Sequence, residues 1–206
     1  MITAVSQALD FSPSRVFSEP FLYAISSRAF KPAVSLAILE WLEREAPWRL
    51  VETDFYEQFE FSIDAANTPE QLMFLAHHSF LDALRVKVQE MLRVTLAEKV
   101  DATAHRLVPG QRIRIHNDFQ PTGETHRLLI QLNREWRNDD GGFLLFFRSQ
   151  NPADVHRVFL PVHNSAIAFA ISRDSNHAVT TIHGGQRFTL VYSFRRRDDT
   201  RPIRPS

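Results

Sequence analysis

Gln111-Arg112-Ile113-Arg114-Ile115-His116-Asn117-Asp118 is the stretch on which the reading of this chain turns. Polar and apolar side chains alternate from Gln111 to His116, the period of a half-buried strand. Residues i and i+2 of a strand share a face, so a strand carried through the pair brings His116 and Asp118 to one point and turns Asn117 away. A neutral imidazole and an ionised carboxylate suit a divalent metal. The same parity puts Arg112 and Arg114 on the side of the pair. Arg114 is then either solvated on an exposed strand or at a cavity mouth, pairing with an anionic group of a bound molecule.

A metal site needs a third donor, and the segment from Ser175 to Val191 offers one. His177 is followed by Gly184-Gly185 and then by Arg187, which opens the apolar run Phe188-Thr189-Leu190-Val191. Two imidazoles and one carboxylate hold a ferrous ion and leave coordination positions open. His183 adjoins the glycines and reads as part of a turn, and His126, His156 and His163 lack the spacing to a following arginine, so His177 is the expected third ligand. The planar fork of Arg187 fits a carboxylate bidentately. Strand parity puts Thr189, Val191 and Ser193 on its face, towards a cavity, and Phe188, Leu190, Tyr192 and Phe194 on the other, towards a core.

The texture of the chain changes near residue 105. Short strand candidates follow, separated by Gly, Pro, Asn and Asp: 111–116, 127–132, 143–147, 155–160, 166–170, 178–182 and 188–194. Their number and spacing predict a β-sandwich or barrel. Before them, Pro32 to Leu42 predicts an amphipathic helix with proline in its first turn, and 48–63 contains a strand. Thr68-Pro69 reads as a helix start with Thr68 as cap, the helix running to about Val100. His77 and His78 within it are expected to be structural or solvated. The fold class is therefore mainly β with N-terminal helices (α+β). We expect one domain over 1–206: a mainly helical scaffold at 1–100, a core at 101–195 and a polar tail at 196–206.

Composition agrees with this reading. The chain has 206 residues, 44% of them hydrophobic, enough to bury a core unaided. Lys+Arg and Asp+Glu balance at 24 each, so no bulk attraction to nucleic acid or anionic membrane is expected. The absence of cysteine removes disulfide, zinc-thiolate and thiol-nucleophile chemistry together. No basic start precedes a long apolar run and no segment reaches membrane-spanning length, so the expected location is cytoplasmic.

His116-x-Asp118, Arg127 to Asn133 followed by Trp136 and Gly141-Gly142, Leu160-Pro161 through Phe169, and His177 to Phe194 fall in an order that resembles the Fe(II)/2-oxoglutarate-dependent dioxygenase superfamily, in its prolyl 4-hydroxylase-like branch. The resemblance covers about residues 100 to 195 and implies a double-stranded β-helix, a cupin-like jelly roll braced by helices. It implies that His116, Asp118 and His177 bind Fe(II), and that Arg187, helped by Thr189, binds 2-oxoglutarate. O2 is the second co-substrate, with ascorbate as an accessory reductant. The implied reaction hydroxylates an unactivated C–H bond of an amino acid, a peptide side chain or a related small metabolite, and yields succinate and CO2; desaturation or ring closure uses the same oxidant. The carboxylate of Asp118 argues against halogenation. Arg114, and Trp136 in the loop Asn133 to Gly142, are the candidate substrate contacts. In many relatives a tyrosine precedes the Pro-Gly turn and touches 2-oxoglutarate; here Leu107 stands before Val108-Pro109-Gly110, and that contact is absent or supplied by another residue, such as His105. The competing reading is a non-catalytic cupin-like module that binds a metal or small molecule.

Overall fold

The computed structural model of the chain describes residues 8–197. The N-terminal half is less helical than the sequence suggests. Strands β1 (Arg15–Phe17) and β2 (Tyr23–Ser26) come first, then helix α1 (Pro32–Arg44), whose proline stands in the first turn as expected. α1 buries Ile38, Leu39, Trp41 and Leu42, an i, i+3, i+4 stripe that faces the core. The stretch read as one strand is a hairpin of β3 (Arg49–Glu52) and β4 (Glu57–Ser62).

The long helix expected from Thr68 to Val100 is broken twice. Residues Glu70–Ala76 form a 3-10 turn after an extended Pro69, with no side-chain cap from Thr68. Helix α2 (His78–Leu92) starts only where the imidazole of His77 accepts a hydrogen bond from the Ser79 amide. It stops at Arg93, which is left-handed with φ 53°. The β-branched Val94 and Thr95 that follow disfavour a helix restart. The chain instead runs out as β5 (Leu96–Leu107), the longest strand.

The remaining strands are β6 (Ile113–His116), β7 (His126–Gln131), β8 (Leu144–Phe147), β9 (Val155–Phe159), β10 (Ala166–Ala170), β11 (His177–Val179) and β12 (Arg187–Arg196). They close two antiparallel sheets: eight strands in the order β1-β2-β10-β7-β12-β5-β4-β3, and four in the order β6-β11-β8-β9. Residues 1–100 are thus no mere helical scaffold, because β1 to β5 all belong to the larger sheet. β12 continues through Arg196, so the polar tail does not begin at 196; its residues 198–206 lie outside the described ones.

Side-chain parity then divides the interior. Phe188, Leu190, Tyr192 and Phe194 join Ala102 and Ala104 in the core between the large sheet and the helices, as their alternation predicts. The opposite faces, with Leu107, Leu129 and Val191, meet Leu144, Phe146 and Val179 of the small sheet in a second apolar cluster. The cavity opens at one end of that cluster. No helix among the described residues is long and apolar enough to cross a membrane.

Candidate metal centre and its cavity

His116 and His177 lie opposite each other in register on β6 and β11. The pairing is irregular: Val179 pairs with Ile113, so two steps on β11 match three on β6. Such a bulge re-aims the side chains beyond it. Ile113 and His116 therefore both line the cavity, whereas unbroken alternation would have set them on opposite faces. Arg114 is correspondingly turned out. It is exposed, its Nη1 donates to the Asp54 carbonyl at 3.3 Å, and it borders a separate outer groove; the expectation that it reaches the cavity mouth is corrected by the bulge.

Asp118 also arrives by another route than strand alternation. β6 ends at His116, and Asp118 adopts a left-handed backbone with φ 58°. Asn117 turns away and secures the loop: its Nδ2 donates to the Arg173 carbonyl at 2.9 Å and its Oδ1 accepts from the Phe119 amide at 3.1 Å. Ser175, fully buried, holds the facing turn, with its Oγ within 3.0 Å of the Asn117 carbonyl and 2.8 Å of the Ser172 carbonyl. The two ligand-bearing segments are thus fastened to each other beside the site.

Both imidazoles are oriented in the same way. Nδ1 of His116 lies 2.9 Å from the Arg114 carbonyl and Nδ1 of His177 lies 2.8 Å from the Ser175 carbonyl. A carbonyl can only accept, so each Nδ1 carries the proton and each Nε2 offers a lone pair, the tautomer a metal requires. Those Nε2 atoms stand 3.4 Å and 3.1 Å from the two oxygens of Asp118. One donor atom from each of the three residues falls within 4.8 Å of the others. Arg127 Nη1 donates to Asp118 Oδ2 at 2.5 Å and its Nη2 pairs with Glu124. Burial by itself would raise the Asp118 pKa, but the charge of the Arg127 guanidinium on its Oδ2 holds it below the usual carboxylate range. Burial lowers that of His177. An ionised carboxylate and two neutral imidazoles on one side of an open cavity fit Fe(II).

The cavity behind this cluster has a volume of about 280 Å³. Its middle is walled by Ile113, Leu129, Leu144, Val179 and Val191, and Arg187 and Thr189 stand at its far end. Arg187 is 4% exposed. Its Nη1 donates to Thr189 Oγ1 at 3.0 Å, and Thr189 in turn donates to Gln131 Oε1 at 3.0 Å. Burial lowers the guanidinium pKa to about 10, which leaves it charged at neutral pH. Among the described residues no carboxylate pairs with it, and its Nε and Gln131 Nε2 are buried without an acceptor. A buried unpaired cation is costly, and a carboxylate entering the cavity would relieve it. The donor set fits 2-oxoglutarate.

Trp136 does not face this cavity. Its Nε1 donates to the Gly141 carbonyl at 2.8 Å, and its ring packs over Gly142. A Cβ at Gly142, whose φ is 65°, would stand 3.0 Å from that ring and 3.2 Å from Cδ of Arg187. Trp136 therefore buttresses the start of β12, and its assignment as a substrate contact is corrected. The sequence reading missed Phe55, Tyr56, Gln58 and Glu60, which the β3–β4 hairpin brings to the cavity, and Arg127. Phe55 packs on His116 with centroids 4.6 Å apart. Outside the metal cluster lies a groove of about 540 Å³ flanked by Phe55 and Phe119 and bordered by Asp101 and Glu124.

Residues 102–195 match the family model described as the 2OG-Fe(II) oxygenase superfamily. No curated protein sequence matches the chain. Among solved structures, a Pseudomonas putida prolyl-4-hydroxylase superimposes with a TM-score of 0.65 at 22% identity, covering 85% of this chain and 93% of that one. A Trichoplax adhaerens prolyl hydroxylase in complex with a hypoxia inducible factor peptide gives 0.68 at 15% identity, with coverage of 84% and 83%. A Burkholderia pseudomallei oxidoreductase of the 2OG-Fe(II) oxygenase family gives 0.56 at 20% identity, with coverage of 79% of each chain. These likenesses show the fold, the double-stranded β-helix expected above.

Proposed function

From a core that is a 2OG-Fe(II) oxygenase domain, we propose that this dioxygenase hydroxylates an unactivated C–H bond of an amino acid, a peptide side chain or a related small metabolite. His116, Asp118 and His177 hold the iron, and Arg187 with Thr189 holds the distal carboxylate of 2-oxoglutarate. The observation that carries this reading is the buried Arg187, without an acidic partner among the described residues, at the end of a cavity whose other end is the His-Asp-His cluster. Bound iron supplies the oxidation: O2 and 2-oxoglutarate give succinate and CO2, with the second oxygen atom placed on the substrate carbon.

The protein's own residues supply position and exclusion. Arg127 keeps the Asp118 carboxylate ionised and aimed. The Nδ1 contacts fix both imidazole rings before any metal arrives, so little reorganisation accompanies binding. Apolar walls at Leu129, Leu144, Val179 and Val191 limit water between the metal cluster and Arg187, which strengthens the charge-assisted contacts there. The groove between Phe55 and Phe119 admits the substrate. Its modest volume favours a compact group, and the peptide seen with the Trichoplax neighbour gives reason to include peptides in the screen.

The test is succinate release with Fe(II), 2-oxoglutarate and ascorbate against a panel of free amino acids and short peptides. Substrate-dependent succinate together with a product heavier by one oxygen atom is expected. Failure of the protein to bind 2-oxoglutarate at all would overturn the reading in favour of a non-catalytic metal-binding module.

A further inference from the structure

Leu107 occupies the place where the resemblance calls for a tyrosine, and it gives its side chain to the apolar cluster between the sheets, 1% exposed. The polar group missing there has a counterpart two residues back on the same face. His105 belongs to a polar row that crosses four neighbouring strands. Gln131 on β7 pairs in register with Thr189 on β12, Thr189 with His105 on β5, and His105 with Glu60 on β4. Directly paired residues of a sheet point to the same side, and Thr189, His105 and Glu60 all line the cavity that Arg187 closes.

The hydrogen bonds around His105 decide which nitrogen carries its proton. Gln58 is 1% exposed, and its Nε2 stands 2.9 Å from Glu60 Oε2 and 3.3 Å from His105 Nδ1. A carboxylate only accepts, which fixes the amide with its nitrogen towards Glu60. The same nitrogen then donates to Nδ1, so the neutral ring keeps its hydrogen on Nε2. That N–H has no acceptor within hydrogen-bond reach among the described residues, since Glu60 Oε2 lies 3.8 Å away. Burial, with Arg127 and Arg187 nearby, pushes the His105 pKa down to about 3, so the ring stays a neutral donor throughout the neutral range.

We infer that His105 takes the place of the missing tyrosine, donating its Nε2–H to the distal carboxylate of 2-oxoglutarate beside Arg187 and Thr189. The inference rests on the reading of Arg187 as the co-substrate clamp. His105 binds without adding charge, Arg187 supplies the charge, and Gln58 is the positioning residue that keeps the imidazole in its donating tautomer.

The experiment is calorimetric titration of the full chain, loaded with Mn(II) as a redox-inert metal, with 2-oxoglutarate and with 2-oxobutanoate. The second ligand has the same keto-acid end but no distal carboxylate. His105→Phe should lose roughly tenfold or more in affinity for 2-oxoglutarate, the size of one hydrogen bond to a charged group. Its affinities for Mn(II) and for 2-oxobutanoate should not change, and His105→Gln, which restores an N–H, should recover part of the loss. Should the phenylalanine variant fail to fold, Gln58→Met carries the test with a smaller selective loss of about threefold. Wild-type preference for 2-oxoglutarate in these variants, alongside a loss in Arg187→Ala, would overturn the role of His105 alone. Equal loss of both ligands, or of Mn(II), would make His105 structural and likewise overturn it. Absence of 2-oxoglutarate binding by the unaltered protein, with Arg187→Ala no different, would overturn the proposed function itself.

Discussion

His116 and His177 are direct cross-strand partners whose ring centroids stand 4.2 Å apart. Residues far apart in the chain are therefore set side by side by the register of two short strands. The third ligand, the oxygen-bearing Asp118, enters from a left-handed turn beyond the end of β6. The site is as stable as that register.

Replacing His177 by Ala removes the only ligand of the three that is itself buried. Ferrous affinity should fall by about a hundredfold or more, since even outer partners of a metal ligand are worth roughly 10 to 100-fold. Anaerobic metal titration checks this, and undiminished iron affinity would move the third ligand elsewhere.

Ser175→Ala should weaken both the fold and the metal site. The hydroxyl links the turn before His177 to the loop between His116 and Asp118 and accepts from the Ser172 amide at 2.9 Å. Its loss leaves buried polar groups unsatisfied, at a cost of about 1 to 3 kcal/mol in stability. Metal affinity should drop about tenfold. Denaturant unfolding and metal titration on the same variant read the two effects, and a stability loss with unchanged metal affinity would uncouple the loops from the site.

Arg187→Ala should raise the 2-oxoglutarate concentration needed for half-maximal turnover by roughly thirtyfold or more. Removing one partner of a buried charge pair typically costs about 2 to 5 kcal/mol. Iron affinity should stay as it is, because Arg187 sits at the opposite end of the cavity. An unchanged requirement for 2-oxoglutarate would reject the clamp.

Acid should destabilise the protein in part through His126. This imidazole, 7% exposed and with Nδ1 2.9 Å from Thr125 Oγ1, has its pKa pushed down to about 4 by burial and by Arg196. An unfolded histidine titrates near pH 6.5. Between those values the unfolded chain binds more protons, so stability rises with pH and is lost as pH falls from about 6.5 to 4. One such group contributes a slope of at most about 1.4 kcal/mol per pH unit. His126→Gln should flatten the profile in that window; an identical profile would show that His126 does not carry this linkage.

What the sequence made legible follows from where local patterns coincide with tertiary ones. The alternation of β12 predicts which side chains face the helices and which face Arg187, and the structure agrees. The apolar stripe of α1 is equally plain. The long second helix is misread because Leu96, Val100 and their neighbours suit either a helix or a strand. The left-handed Arg93 and sheet pairing with β12 decide the matter for β5, and neither is visible locally. Arg114 is misplaced for a related reason: alternation carries no mark of a bulge that arises only when β6 meets β11. Phe55, Tyr56, Gln58 and Glu60 escape notice because the fold carries the β3–β4 hairpin to the cavity from a segment remote from the metal motif.

The irregular pairing of β6 also bears on how this chain tolerates change in length. Three steps of β6 are spent where β11 uses two, so the strand is already offset by one residue between Ile113 and His116. Deleting either Arg114 or Ile115 would restore an even match: Ile113 and His116 would then stand two positions apart, still opposite Val179 and His177 and still on the cavity face. A point deletion here should therefore cost iron binding little, as should replacing the exposed Arg114 by Ala.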